Sequence, residues 1–208
     1  MSHSDVRHNL SSSAQIHDRR RTDTRQRIHE VALEVFSEQG YDRATLREIA
    51  EPLGITRPAL YYHFKSKEDI LASIHRDLAL SIDDIINWAQ AQPTTATTRT
   101  EILNRLSALM AGPWGQFTRF AQANEAAMRN LTATSEFIER MDTLTELLRP
   151  GDDVHSRIKA RLALGALFMA GAREQQLGGT DAARTRAALE VAIELTQHPT
   201  RIVPDTPR

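Results

Sequence analysis

Cysteine is absent from the 208 residues, which removes disulfide frameworks, thiolate nucleophiles and cysteine-based metal sites together. Long apolar runs are absent too. None approaches the ~20 residues needed to span a bilayer, and the segment from Met1 to Arg21 lacks the apolar stretch of a signal peptide. No alternating apolar and polar run is bracketed by hairpin turns, so no sheet is expected. Neither sign of charge is in excess: 26 Lys and Arg stand against 27 Asp and Glu. A surface for a polyanion must therefore come from local placement of cations, not from global charge. The short signatures of catalysis are missing as well, with no G-x-G-x-x-G, P-loop, H-E-x-x-H or nucleophile elbow. The histidines are scattered, and His3, His8 and His17 fall in a polar leader. These absences point to a cytoplasmic protein with no membrane partner, no enzymatic activity and no cofactor or metal site.

What is present is enough to fold. The chain is 40% hydrophobic, and after about residue 21 its apolar residues recur at helical spacing almost to the end, so the fold class is all-α with about nine helices. Residues 1–21, rich in Ser, His and Arg, read as a mobile arm, and residues 199–208, with three prolines, as a flexible tail. A first helix runs from about Thr22 to Gln39, burying Ile28, Ala32, Val35 and Phe36, and stops at Gly40. Thr45 and Glu48 form a T-x-x-E capping box that opens a second helix, which ends near Leu53. Thr56 caps a third, with Pro58 in its first turn, reaching about Phe64. Ser66 caps a fourth, whose stripe of Ile70, Leu71, Ile74, Leu78, Ile82, Ile85 and Ile86 continues for about seven turns, long enough to bridge two domains. The stretch from Pro93, PTTATTRT, has the composition of a loop. Helices follow at about Thr98 to Ala111, Trp114 to Asn130, Ser135 to Leu148, Asp152 to Leu177 and Asp181 to Gln197.

Function is concentrated between Leu46 and Lys67. A small Ala50 and Gly54 suit two helices meeting at a tight turn, with Leu46, Ile49, Leu53, Ile55 and Leu60 facing inward. A Cβ at position 54 would oppose a positive φ at a cost of about 1 kcal/mol. The outward set is Arg47, Thr56, Arg57, Ala59, Tyr61, Tyr62, His63, Lys65 and Lys67, in which acidic residues are scarce. Cations neutralise phosphates, hydroxyls and amides at helix N-termini bind them, and an exposed third helix can reach base edges in the major groove. The plainer alternative is a solvated helical hairpin.

The run GYDRATLREIAEPLGITRPALYYHFKSKEDIL resembles the DNA-binding region of the tetracycline-repressor (TetR) family, most specifically in GITRPALYYHFKSKE. The close match covers about Thr24 to Ile74; beyond it only length and helix count agree. The resemblance implies a helix-turn-helix DNA-binding domain over 22–67, followed by a helical ligand-sensing and dimerisation domain over 68–198. It implies that Thr45 caps the second helix against phosphate and that Thr56, Arg57, Pro58 and Ala59 start the recognition helix. It implies further that Tyr61, Tyr62 and His63 contact bases or backbone, while Lys67 contacts phosphate. Leu60 and Phe64 match core positions. Ala59 offers only a methyl, which shifts base reading toward Arg57 and Tyr61. For His63, packing against Phe64 and a phosphate without titration is the favoured reading. Arg19, Arg20 and Arg21 could follow the duplex or simply be solvated.

The same resemblance implies a homodimer formed by the last two long helices, reading a palindromic operator, with repression the expected outcome. The sequence suits that role through small Ala163, Gly165, Ala166, Ala170 and Gly171 and through Leu162, Met169, Leu189, Val191, Ile193 and Leu195, although these stripes could equally pack within one chain. Trp88, Met110, Trp114, Phe117 and Phe120, with Met128, Phe137, Met141 and Phe168, gather most of the bulky flexible side chains outside the DNA-binding half, and about half of them are expected to touch a cavity for a mainly apolar ligand. Gly112-Pro113 should bend the chain beside Trp114. Other uses stay open: the C-terminal half could bind a protein partner or no small ligand, and a non-specific architectural DNA binder is possible in principle, though such proteins use larger basic surfaces.

Overall fold

The computed structural model describes residues 23–124, 135–170 and 177–198. The expectations about Arg19, Arg20, Arg21, Met128, Gly171 and the tail lie outside these residues. Among the described residues the fold is helical and holds no strand. In chain order the helices are α1 (23–39), α2 (Leu46–Leu53), α3 (Arg57–His63), α4 (Lys67–Gln90) and α5 (Ala96–Ala111), then α6 (Pro113–Ala123), α7 (Ser135–Leu148), α8 (Val154–Met169) and α9 (Asp181–Gln197).

The chain divides into two compact units, Met1–Ile74 and His75–Arg208, so the division falls inside α4. The sequence placed it seven residues earlier, at the start of that helix. The reason for the difference is packing: the first two turns of α4 bury Ile70, Leu71 and Ile74 with Ile28, Ala32 and Phe36 of α1 in one core. A polar lock lies beside these residues. Ser73 Oγ accepts from Arg25 Nε at 3.0 Å and sits 2.9 Å from His29 Nε2, with Ser73 and His29 both buried. Such groups must be paired when water is excluded.

The second unit begins at His75, and the α4 stripe continues through Leu78, Ile82, Ile85 and Ile86, all buried. Helix α5 opens earlier than its composition implied. Thr95 is the cap, its hydroxyl accepting from Thr98 N at 3.1 Å, so most of PTTATTRT is helix rather than loop. Helices α8 and α9 pack along one another, and α5 lies on α9. Arg99 of α5, buried to 8% exposure, donates from Nε to Thr196 O at 2.8 Å and from Nη2 to Gln197 O at 3.4 Å. These carbonyls close α9, where the helix dipole favours a cation. Burial holds this guanidinium below its ordinary pKa. Arg140 of α7 grips Asp83 of α4 with two bonds of 2.7 and 2.8 Å.

Candidate nucleic-acid interface and ligand cavity

In the first unit, α2 and α3 are set by their ends. Thr45 N and Thr45 Oγ1 both donate to Glu48 Oε2 at 2.8 Å, and Glu48 N donates back to Thr45 Oγ1 at 3.4 Å. The capping box is thus complete, and its bonds hold the Glu48 carboxyl below the usual range, the Thr45 hydroxyl contributing most. After α2, Gly54 adopts φ +65°, and Ile55 N donates to Ala50 O at 3.3 Å, closing a Schellman-type turn. Open space surrounds the position a Cβ would take at Gly54, so backbone conformation alone calls for glycine there. Thr56 Oγ1 then accepts from Ala59 N at 3.3 Å to start α3, which ends where Phe64 turns extended.

Leu60 and Phe64 face the core, and the Phe64 ring lies 5.6 Å from that of His29. This fixes the opposite face of α3 outward, where Tyr61 is 53% and Tyr62 77% exposed. Arg47, Thr56, Arg57, Pro58, Ala59 and Lys65 are exposed as well. Exposed aromatic rings of this size have no use in the chain's own core and form a ready surface for a partner. His63 is half-buried and meets the Tyr62 ring edge-on at 5.4 Å. Arg47 pairs with Glu51 at 3.0 Å on the surface, a contact weak enough to yield to a phosphate.

Two expected phosphate ligands have other commitments. The Thr45 hydroxyl proton goes to Glu48. Lys67 Nζ donates to Tyr41 O at 2.6 Å and to Asp42 O at 3.1 Å, and lies 4.4 Å from the centre of the Tyr41 ring. Tyr41 in turn donates to Glu68 at 3.0 Å, and burial, with Glu68 adding, pushes its hydroxyl pKa up so that it stays a donor. Lys67 therefore braces the turn that leads into α2. The spacing of the motif carried no sign of this tertiary contact.

In the second unit, α4 to α8 line a partly open cavity of about 340 Å³. Five of the nine side chains singled out in the sequence line it: Met110, Phe117, Phe137, Met141 and Phe168. Three others lie elsewhere. Phe120 is buried in the core, Trp114 packs edge-on against Phe117 at 6.4 Å, and Trp88 stacks under the Arg105 guanidinium at 3.8 Å. Two polar lining residues went unnoticed, His75 and Thr118. The bend at Gly112 is present, but Gly115 also matters: a Cβ there would come within 2.1 Å of Met110 O.

The residues offered for dimerisation divide by exposure. Leu162 and Met169 are 56% and 57% exposed, Gly165, Ala166, Leu189 and Ile193 are half-buried, and Ala170 is already buried within the chain. Val154 and Ile158 extend the exposed row along α8.

Residues 28–74 match the family described as "Bacterial regulatory proteins, tetR family". The HTH-type transcriptional regulator AcrR of Shigella flexneri is 50% identical over 52 residues, 25% of this chain and 24% of that protein. The HTH-type transcriptional repressor AcnR of Corynebacterium glutamicum is 35% identical over 66 residues, 32% of this chain and 35% of that protein. The chain thus spans only about a quarter to a third of the length of these curated relatives. Over longer spans the fold is shared. A TetR family regulator, PfmR, from Thermus thermophilus aligns with TM-score 0.59 at 18% identity, covering 80% of this chain and 97% of that one. FadR from Bacillus subtilis, solved in complex with stearoyl-CoA, aligns with TM-score 0.58 at 20% identity, covering 81% and 97%. Residues 28–74, within the N-terminal unit, are thus similar to the tetR family of bacterial regulatory proteins, and over longer spans the chain shares the fold of the solved regulators.

Proposed function

We propose that the chain is a sequence-specific DNA-binding transcriptional regulator that acts as a homodimer on a palindromic operator, most simply as a repressor that a small apolar molecule releases. The observation that carries this reading is α3. It is a helix capped at its start and anchored by Leu60 and Phe64, and it presents Tyr61 and Tyr62 outward, flanked in sequence by Arg57 and Lys65. A rigid helix with hydroxyls and cations on its free face suits the major groove, where Arg57 can donate twice to a guanine and Tyr61 can reach a base edge. Arg47, Thr56 and Lys65 are placed to meet phosphates, and Lys67 contributes by holding the turn before α2. The exposed apolar row on α8 favours a second copy as the covering partner, because two copies present two recognition helices to two half-sites about 34 Å apart. The cavity supports a small ligand, and α4, which carries residues of both units, is the continuous segment through which occupancy can act. A coupling of about 1 to 3 kcal/mol would change operator affinity about 5- to 150-fold.

Selection of bound duplexes from a random pool by the purified protein tests the reading. Enrichment of a palindrome with half-sites about one helical turn apart is expected. No enrichment by a folded protein, in the presence or absence of apolar extracts, would overturn it.

A further inference from the structure

A buried serine hydroxyl has one proton and two lone pairs to place, and each needs a partner when water is excluded. Ser73 of α4 is 2% exposed, and among the described residues three nitrogens converge on its Oγ. Arg25 donates from Nε at 3.0 Å and also from Nη2, which fills both lone pairs. What is left on the oxygen is its own proton, and His29 Nε2 lies 2.9 Å away to take it. Nε2 must then be an acceptor, so the ring proton sits on Nδ1 and the buried imidazole is neutral. Protonation would make Nε2 a third donor on an oxygen with two lone pairs. It would also bury a second positive charge beside the Arg25 guanidinium, the charged group that α1 brings to this oxygen, while α4 brings only the Ser73 hydroxyl.

The same residues meet the end of the recognition helix. The buried Phe64 ring lies 5.6 Å from the His29 ring and 5.3 Å from the Arg25 guanidinium carbon. Phe64 closes α3, its N donating to Leu60 O at 2.9 Å, so the place of this ring sets where the C-terminal end of α3 rests. Side chains that recognise a partner must be held to within about 0.5 Å of their working geometry. Tyr61 stands less than one helical turn before this anchor.

Given the reading of α3 as the helix that meets DNA, we propose that Arg25 and Ser73 are positioning residues for that recognition: they hold His29 as a neutral acceptor against Phe64 and so fix the seat of α3. Arg25 acts through Ser73 and Phe64, not through a phosphate.

Two measurements on the full chain test this. Proton–nitrogen correlation spectra of the histidine rings, recorded without DNA at pH 7.5, should show His29 with its proton on Nδ1; a proton on Nε2 would overturn the proposal. Fluorescence anisotropy then compares the selected operator with a scrambled duplex. Ser73→Ala changes no charge, so its salt dependence and its affinity for the scrambled duplex should stay native while the operator preference falls about tenfold. Arg25→Lys keeps the charge but not the planar pair of donors, and should lose preference in the same way. His29→Gln offers an amide oxygen to the Ser73 proton and does not titrate. It should keep the operator preference at the lower pH where the native chain, its His29 protonated in the spectra, loses it. Using the ratio of the two duplexes cancels charge that His63 adds to both. Undiminished preference in folded Ser73→Ala or Arg25→Lys, or a native preference that persists once His29 is protonated, would overturn the proposal. The comparison of native spectra and native preference stands even if a variant misfolds. A native chain that prefers neither duplex contradicts the DNA reading instead, and the ring spectra still decide the state of His29.

Discussion

At the residue scale, single atoms decide more than composition does. Gly54 holds φ +65° with nothing near a would-be Cβ. Gly54→Ala should therefore lower stability by about 1 kcal/mol through backbone strain alone, while Gly54→Asn, which tolerates that region, should cost less. Urea unfolding of the two variants checks the order. His75 makes a second prediction. Its folded pKa is depressed, so as pH falls through about 6.5 the unfolded chain takes up a proton that the folded chain refuses, and stability drops. The contribution is fully present above that pH. Melting curves at pH 7.5 and 5.5 should show a smaller acid loss in His75→Phe than in the native protein. An equal loss would mean that other histidines carry it.

At the element scale, what the sequence made legible was local. Caps at Thr45 and Thr56, the turn at Gly54 and the stripe of α4 from Ile70 to Ile86 each depend on neighbours a few residues away, and each is found as expected. What stayed hidden depends on distant partners. Arg99 reads as one more polar residue in a threonine-rich stretch, yet it closes α9 across 97 residues of sequence. Gly115 falls inside the helix expected from Trp114 with no mark of its own, yet it is required by the approach of Met110 O. Lys67 reads as a free cation, yet two carbonyls of the turn hold it. The candidate surface on α3 was legible for the same reason as the caps, since inward Leu60 and Phe64 fix the outward face. The places of His75 and Thr118 in the cavity lining were not, because which residues of a helix stripe meet a cavity shows only once the fold is formed. Arg99→Met should cost about 2 kcal/mol, since hydrogen bonds from a charged donor are lost and the end of α9 loses its cation. Calorimetry should show a fall in melting temperature with the helical signal intact at low temperature.

At the scale of the whole molecule, the proposed dimer rests on the exposed surface of α8. Val154, Ile158, Leu162 and Met169 recur along the helix, each at least half exposed. A row of large apolar side chains at this spacing is a face rather than scattered single residues. Leu162→Glu together with Met169→Glu should turn a dimer into a monomer in sedimentation, and operator affinity should fall steeply because two linked half-site contacts become one. A native protein that sediments as a monomer at micromolar concentration would contradict the dimer.

The central claim is that the exposed face of α3 reads DNA sequence, and fluorescence anisotropy on the selected operator and a scrambled duplex, across a salt series, tests it most directly. The native protein should prefer the operator, whereas Tyr61→Ala and Arg57→Ala should each lose about 1 to 3 kcal/mol of that preference while weak, salt-sensitive binding to both duplexes remains. Undiminished preference in both variants would show that some other surface does the reading.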